Sequence, residues 1–263
     1  MIRGLFYFGA LIICAVILAF VEPSTTPFVL VIGIIVGITV PLLDLISSNL
    51  RYLRFAYYTA RYARERIRLS VSYLFRIKVN NEYMLIKGRR WDQYQPVGGV
   101  YKVSASSKHK LDILGALNDN LVPVDAVSEN DLRIRIPASK LISFVRWFES
   151  GYSRETSPWR EFQEELIGPG ILSEVDFPFI FTDFIRRDFR PMRFSSHAQS
   201  REMLIADIYE LLPTATQMEA LKRLKESGHP EILWATEDQI RRLGVTPGGK
   251  LDTRIGEPAI WTL

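Results

Sequence analysis

The sequence has 263 residues, which is enough for one well-packed domain and an additional segment. Its apolar fraction of 48% and charged fraction of 24% are typical of a globular chain. The net charge of +4 is too small to indicate a stable nucleic-acid partner. The one cysteine, Cys14, excludes an internal disulfide and a cysteine-based zinc site.

Two apolar runs open the chain, and both are predicted to be membrane-spanning helices. Gly4 to Val21 carries no charge, and Phe28 to Leu43 follows after a short polar loop. Because so short a loop joins antiparallel neighbours, residues 1–46 are predicted to form a transmembrane hairpin. A cleaved signal peptide is the alternative for the first run, although that run is long for one and lacks a clear cleavage site.

Arginines are concentrated after the second run, whereas the loop between the runs contains no lysine or arginine. This asymmetry predicts a multi-pass protein with both termini in the cytoplasm. Residues 47–70 are predicted to include a basic amphipathic helix, Leu50 to Leu69, that binds the headgroups of membrane lipids. Gly33 and Gly37 form a Gly-x-x-x-Gly pattern, which allows close helix packing and indicates a homo-oligomer.

The pattern then changes to that of an α/β domain, predicted over residues 71–263. Tyr73 to Val79 and Tyr83 to Lys87 are predicted to be strands, and Asn80-Asn81 between them is a plausible hairpin turn. These features indicate a mixed domain that begins with an antiparallel pair of strands.

Residues 101–156 are predicted to be a long, folded insertion. Within it, Leu132 to Ile136 alternates as a half-buried strand, and Ser139 to Glu149 has helical spacing. Phe177 to Phe184 and Glu202 to Leu212 are predicted to be strands of the main domain. The remaining predicted elements are a helix over Thr216–Ser227, a strand over Ile232–Ala235 and a helix over Asp238–Leu243.

A short helix is predicted between Ser157 and Gly168, and one of its faces carries three glutamates. They are Glu161, Glu164 and Glu165. Spacings of three and four residues bring their like charges together, which costs stability unless a cation lies among them. Because hard divalent ions prefer clustered carboxylate oxygens, a Mg²⁺ or Mn²⁺ site is the functional hypothesis, and a solvated acidic face is the alternative. Phe162 and Leu166 lie on the opposite face and are predicted to be buried.

The string from Arg160 to Leu166 resembles the Nudix box, the metal-binding helix of hydrolases that act on nucleoside diphosphates linked to another group. The resemblance implies a Nudix-like α/β/α sandwich in which Glu161, Glu164 and Glu165 bind the metal ion. It also implies catalytic roles for Glu161 and for Arg160, which matches the arginine that steadies the preceding loop.

The resemblance extends upstream, where Gln95 to Val100 looks like the Pro-x-Gly-Gly strand end that precedes the box. Gly98 and Gly99 are therefore predicted to border the nucleotide. Arg89, Arg90 and Trp91 come shortly before them and are predicted to bind phosphate and stack a base. A solvated turn with one anchoring tryptophan is an equal alternative for these three residues.

Two departures from the Nudix pattern affect the predicted activity. Sixty residues separate Gly99 from Arg160, whereas the box keeps its first glycine much closer to the arginine. Tyr152 stands where the box has an upstream glutamate, and Glu155 lies about one helical turn closer to the arginine than that position. The resemblance therefore predicts the fold more firmly than it predicts hydrolysis.

An N-terminal hairpin fused to a Nudix-like domain with a long insertion resembles the SMODS-associated Nudix effectors of bacterial CBASS antiphage systems. The resemblance implies that a partner enzyme makes a cyclic oligonucleotide during infection and that the Nudix-like domain senses it. The hairpins would then oligomerise and disrupt the bacterial inner membrane, causing abortive infection. A membrane-anchored Nudix hydrolase is the main alternative, and a scaffold with an inactive Nudix domain is the third.

Overall fold

The computed structural model describes most of the chain, with side chains from Phe6 onward. The described residues are 2–23, 25–89, 91–119 and 130–263. The chain divides into two compact units, Met1–Ala63 and Arg64–Leu263. The predicted residue Arg90 lies outside the described residues, as does part of the insertion.

The first unit contains two helices that pack against each other, α1 (Ile2–Leu18) and α2 (Thr26–Arg61). With 36 residues, α2 is long and apolar enough to cross a membrane. The apolar part of α1, Phe6–Leu18, is shorter than a typical span. Within the described part of the chain, α2 is the one helix that meets both criteria, so the structure supports one spanning helix by length and composition.

The predicted juxtamembrane helix over Leu50 to Leu69 is wrong in its second half. Helix α2 continues without a break to Arg61, and a strand begins at Arg66. Ile67 and Leu69 are fully buried, whereas Arg68 between them is half-buried, which is the two-residue period of a strand. The helical spacing of the arginines hid this alternation, and the predicted boundary at residue 71 therefore falls inside a strand.

The second unit is a mixed α and β domain with two sheets. In chain order its strands are β1 (Arg66–Arg76), β2 (Lys78–Val79), β3 (Glu82–Lys87), β4 (Tyr94–Gln95), β5 (Gly98–Val100), β6 (Leu117–Asn118), β7 (Arg133–Pro137), β8 (Thr182–Phe189), β9 (Arg193–Ser195), β10 (Ser200–Leu211) and β11 (Ile232–Ala235). Its α-helices are α3 (Lys108–Ile113), α4 (Leu141–Glu149), α5 (Trp159–Phe162), α6 (Ala215–Ser227) and α7 (Glu237–Arg241).

The larger sheet has the order β6-β7-β1-β10-β8, and β1 is its centre. On one side β1 pairs in parallel with β10, from Arg68 opposite Glu202 to Arg76 opposite Glu210. On its other side β1 pairs antiparallel with β7 near its start and with β5 near its end. The insertion, which follows β5 in the chain, therefore adds β7 and β6 to the same side of β1 that β5 occupies. This pairing explains why the insertion is folded.

The smaller sheet has the order β11-β3-β2, with β4 also paired to β3. The predicted strand from Tyr73 to Val79 is divided at Ile77, and its two parts belong to different sheets. The predicted turn is confirmed, because Asn80 and Asn81 have φ values of 50° and 65°. Asparagine tolerates this left-handed conformation better than most residues, and it suits a tight hairpin.

The prediction that the insertion is folded is confirmed by β7 and α4. Leu141, Val145 and Phe148 of α4 are fully buried. The strand predicted over Phe177 to Phe184 is wrong in position, because the observed strand β8 begins at Thr182. Pro178 has no backbone N–H to donate to a neighbouring strand, so regular pairing begins only after it, and the carbonyl of Phe181 accepts from the N–H of Leu212 at 2.8 Å.

The elements predicted after residue 200 are confirmed within one or two residues at most of their ends. Helix α6 begins at a capping box of Thr214 and Gln217 and is followed by Gly228 with a φ of 61°. Helix α7 begins at the predicted capping box of Thr236 and Gln239. Local signals of this kind are readable because both partners lie within one turn.

Candidate functional site

The three predicted metal-binding glutamates lie on a short helix that changes character along its length. Helix α5 covers Trp159–Phe162 and passes into a π-helical turn over Gln163–Ile167. In this turn the N–H of Gly168 donates to the carbonyl of Gln163 at 2.7 Å. Because a π-turn costs stability and is found mostly at functional sites, it marks this helix as more than a structural connection.

Two apolar side chains fix the orientation of the helix, as predicted. Phe162 and Leu166 are fully buried. The Phe162 ring lies 5.5 Å from that of Phe75 in β1 and 5.6 Å from that of Phe177, between ring centroids. This anchoring directs the other face of the helix, which carries the acidic residues, toward β5.

Arg160 lies at the centre of this acidic face. Its Nη1 is 2.8 Å from Oε1 of Glu161 and 3.1 Å from Oε2 of Glu164. Its Nε and Nη2 donate to the two carboxylate oxygens of Glu155 at 3.0 and 3.1 Å. Nη2 also donates to the carbonyl of Val100 at 3.0 Å, which ties the helix to the end of β5.

The contacts with the glutamates affect the pKa of Arg160 more strongly than the burial of its guanidinium does. Burial by itself lowers the pKa of Arg160, but the hydrogen bonds that it donates to Glu155 and the charge of Glu161 raise the pKa above its usual value. Arg160 is therefore permanently charged and neutralises part of the carboxylate cluster. Glu155, near the end of the predicted insertion, is the bidentate partner of Arg160 and lies three residues after Tyr152, where the box has a glutamate.

The two glycines predicted to border a nucleotide lie directly against the glutamates. The N–H of Gly98 donates to Oε2 of Glu165 at 2.8 Å. A Cβ added to Gly99 would overlap the carboxylate of Glu161, and one added to Gly98 would overlap the backbone of Tyr73. The Gly-Gly pair is thus required here because two chain segments approach each other too closely for a side chain.

The buried carboxyl groups have altered acidities. Burial raises the pKa of Glu165 to about 7, with a further contribution from the charge of Glu161, while the hydrogen bond from Gly98 opposes it. Burial also raises the pKa of Glu161, and the neighbouring Arg160 opposes this shift. The site therefore contains a carboxyl group that titrates near neutral pH.

The predicted phosphate- and base-binding residues are placed differently from one another. Arg89 reaches the glutamate helix, where its Nη2 donates to the carbonyl of Glu164 at 3.2 Å. Trp91 is 61% exposed, and its ring packs edge-on against that of His197 at 6.2 Å between centroids. The structure thus brings Arg89 to the site, while Trp91 contacts a different loop.

No group of three His, Cys, Asp or Glu side chains within the described ranges is arranged to hold a metal ion. The donor chemistry nevertheless fits a hard divalent cation. Glu161 and Glu165 are carboxylates in a buried setting, and the charge of Glu161 raises the pKa of Glu165. Metal binding by Glu161, Glu164 and Glu165 stays a prediction that this chemistry supports.

Sequence reasoning missed a buried polar network beside the site. Asp207 in β10 is 1% exposed, and both of its carboxylate oxygens accept from Arg187, at 2.5 and 2.7 Å. The hydroxyl of Tyr101 donates to the same carboxylate at 2.6 Å. Phe148 of the insertion lies 4.5 Å from the Arg187 guanidinium, so the network joins the insertion to the sheet. A lone aspartate within the apolar run of β10 was the available signal.

The comparisons with known proteins agree with this architecture. The family model described as the SMODS-associated NUDIX domain matches residues 66–263, which begin at the first residue of β1. No curated protein and no solved structure matches the chain. Because the family model covers more than half of the chain and all but the first two residues of the mixed α and β unit, the protein belongs to the SMODS-associated NUDIX domain family.

Proposed function

We propose that this protein is a membrane effector of a bacterial CBASS antiphage system, whose Nudix-like domain binds a cyclic oligonucleotide. The observation that carries the proposal is the joining of two parts in one chain. A helix long and apolar enough to cross a membrane, α2, precedes a SMODS-associated NUDIX domain. In this proposal α1 and α2 form a two-span hairpin in the inner membrane, with both termini in the cytoplasm.

The geometry of the glutamate site supports binding over turnover. Arg160 is held by Glu155, Glu161 and Glu164, so a cation of the protein already neutralises much of the acidic cluster. Glu165 is engaged by the Gly98 N–H. Groups that are committed to internal contacts stabilise a binding surface, whereas catalysis requires groups poised toward a substrate.

Assembly is the proposed output of binding. Gly33 and Gly37 are exposed on α2, and a Cβ at either position meets no described atom within 4 Å. That small-residue surface is available to a helix of a second copy, which supports a homo-oligomer. A ligand that prefers the assembled state 100-fold shifts the balance toward it by about 2.7 kcal/mol.

Dye leakage from liposomes tests the proposal. The full chain is reconstituted in liposomes of bacterial lipids that contain a self-quenching dye, and cyclic oligonucleotides are titrated. We expect leakage that depends on the cyclic ligand and that persists in Glu161→Gln. Rapid cleavage of a linear nucleotide by the same sample, with no cyclic nucleotide causing leakage, would overturn the proposal.

A membrane-anchored Nudix hydrolase is the second candidate, and the clustering of the carboxylates favours it. Glu161 and Glu165 lie together against the glycines of β5, and the charge of Glu161 raises the pKa of Glu165. Glu161, Glu164 and Glu165 would hold a Mg²⁺ or Mn²⁺ ion, whose chemistry is to polarise phosphate and acidify water. Calorimetry on the full chain in detergent should show divalent-ion binding that Glu164→Gln with Glu165→Gln abolishes. Absence of ion binding with a nucleotide present would leave the acidic cluster a structural feature.

A further inference from the structure

The insertion contains an open cleft of about 670 Å³. One side is formed by α3 and the turn that precedes it, and the other by α4 and the chain that follows it. Its volume lies within the range of sites that bind small ligands, which is about 300–1,000 Å³. The cleft is separate in its lining residues from the glutamate helix.

Basic and hydroxyl groups dominate this cleft. His109, Lys110 and Arg146 line it and are exposed, and none of its described lining residues is acidic. Five serines complete the polar lining, at positions 106, 107, 143, 150 and 153. Hydroxyl groups beside exposed cations are the recognition chemistry of a phosphate group.

Two aromatic residues complete the cleft. Tyr152 lines it and is 76% exposed, so its ring is available for stacking. Trp147 lines it and is 7% exposed, so the edge of its indole forms part of the cleft wall.

The charge of the glutamate site makes it a poor place for the same ligand. Glu155, Glu161 and Glu164 surround Arg160, and Glu165 on the same helix adds a fourth carboxyl group, so phosphate is repelled there unless a divalent ion intervenes. The cleft needs no such ion, because its own side chains are basic. Nucleotide binding at the glutamate site would therefore require a divalent ion, whereas nucleotide binding in the cleft would not.

We infer that the cleft between α3 and α4 is a metal-independent binding site for a nucleotide. Lys110, His109 and Arg146 bind the phosphate, and Tyr152 stacks on the base. The choice of a nucleotide over another anionic aromatic ligand rests on the proposed function. Ser153 lines the cleft, and Glu155, the partner of Arg160, follows it by two residues. The chain therefore connects the cleft directly to the glutamate site.

Fluorescence anisotropy on the full chain in detergent tests the inference. Fluorescein-labelled cyclic di-AMP, cyclic di-GMP and ATP are titrated separately, first in EDTA and then in Mg²⁺. We expect at least one probe to bind in EDTA, with an affinity that Mg²⁺ changes less than threefold. Binding only in Mg²⁺, or no binding of any probe in EDTA, overturns the inference.

Variants locate the bound probe. Tyr152→Ala and the double variant His109→Ala with Lys110→Ala are expected to weaken binding in EDTA at least tenfold, and these exposed positions leave the fold intact. Phe194→Ala, at a residue that is 59% exposed and does not line the cleft, is the matched control and should bind like wild type.

The outcome separates the inference from the proposed function. Ligand-dependent leakage that is unaffected by Tyr152→Ala, together with loss of binding in Glu164→Gln with Glu165→Gln, overturns the cleft as the site and keeps the effector function. Binding at the cleft without any leakage supports the site and contradicts the effector function.

Discussion

Glu155 and Arg160 form a bidentate pair, with Nε–Oε1 and Nη2–Oε2 distances of 3.0 and 3.1 Å. The glutamate lies near the end of the sixty-residue interruption of the Nudix-like pattern, and the arginine lies in the first turn of the acidic helix. The pair therefore closes the insertion back onto the site. It explains how the motif tolerates Tyr152 at the position where its upstream glutamate is expected, because Glu155 supplies the carboxylate from a different place.

Removing the charge of Glu155 should destabilise the NUDIX domain. Glu155→Gln keeps the size of the side chain but loses the ion pair with Arg160, and we expect a loss of about 1–3 kcal/mol in the free energy of unfolding. Urea unfolding followed by tryptophan fluorescence measures it. Tyr152→Ala, three residues earlier and exposed, is the control and should unfold like wild type. Equal stability of Glu155→Gln and wild type would show that the pair is not structural.

The acidity of Glu165 predicts an effect of pH on stability. Its pKa rises from 4.5 in the unfolded chain to about 7 in the folded one, so folding holds a proton that the unfolded chain releases. Stability is therefore lost as pH rises through this window, and full ionisation above it costs up to about 3 kcal/mol. In EDTA, Glu165→Gln should gain stability over wild type at pH 8 and not at pH 4.

Divalent ions provide the control for this pH effect. A cation near Glu165 favours the ionised carboxylate, so Mg²⁺ or Mn²⁺ should reduce the stability difference between wild type and Glu165→Gln at pH 8. A difference that is the same at pH 4 and pH 8 would contradict the raised pKa.

Close packing of Gly99 against Glu161 predicts a specific rescue. Gly99→Ala places a methyl group where the Glu161 carboxylate lies, and overpacking of this kind costs about 1–3 kcal/mol. Removing that carboxylate with Glu161→Ala should restore part of the loss, which a double-mutant cycle measures. Gly248→Ala is the control, because its nearest described neighbour would be 3.9 Å away. Strictly additive effects of Gly99→Ala and Glu161→Ala would refute the steric explanation.

Local patterns in the sequence predicted the elements whose signals lie within a few residues. The Asn80-Asn81 turn and the capping box of Thr236 and Gln239 were found in this way. The helix predicted over Leu50 to Leu69 was wrong in its second half. The arginines recur every seven residues, which indicated a helix, whereas Ile67 and Leu69 are buried with the two-residue period of β1. Arg68, which continued the arginine spacing of the helix, lies in β1, where its side chain is 12% exposed and pairs with Asp119 and Glu202.

The contacts that define the site could not be predicted, because they join distant parts of the chain. Tyr101 meets Asp207 across 106 residues, and Gly98 meets Glu165 across 67. The π-turn after Phe162 was also hidden, since its composition suits an ordinary helix. The resemblance to the Nudix box nevertheless identified the glutamates and the glycines. A family motif implies which distant residues meet in the fold, whereas hydrophobic periodicity describes only local structure.

Among these polar groups, the Asp207 network should make the largest contribution to the free energy of unfolding. Asp207→Asn leaves the buried Arg187 guanidinium without its charged partner, and breaking a buried pair on one side costs about 3–5 kcal/mol. Thermal unfolding should reveal this as a large drop in Tm. Asp183→Asn, an exposed position on β8, is the matched control and should change stability by less than about 0.5 kcal/mol. Unchanged Tm in Asp207→Asn would mean that Tyr101 alone satisfies the side chain.

Gly33 and Gly37 allow assembly to be tested apart from ligand binding. Ile at both positions fills the open surface of α2 and should weaken association of the hairpins at least tenfold, which is about 1.4 kcal/mol. Chemical cross-linking in detergent measures the oligomer, and liposome leakage measures its consequence. Nucleotide binding by the NUDIX domain should be unchanged, because neither glycine belongs to that unit. Gly9→Ile in α1 is the control, since Gly9 also has open space around it and lies outside the Gly-x-x-x-Gly pattern. If both variants reduce cross-linking equally, the apolar surface as a whole drives assembly and the glycine pair has no special role.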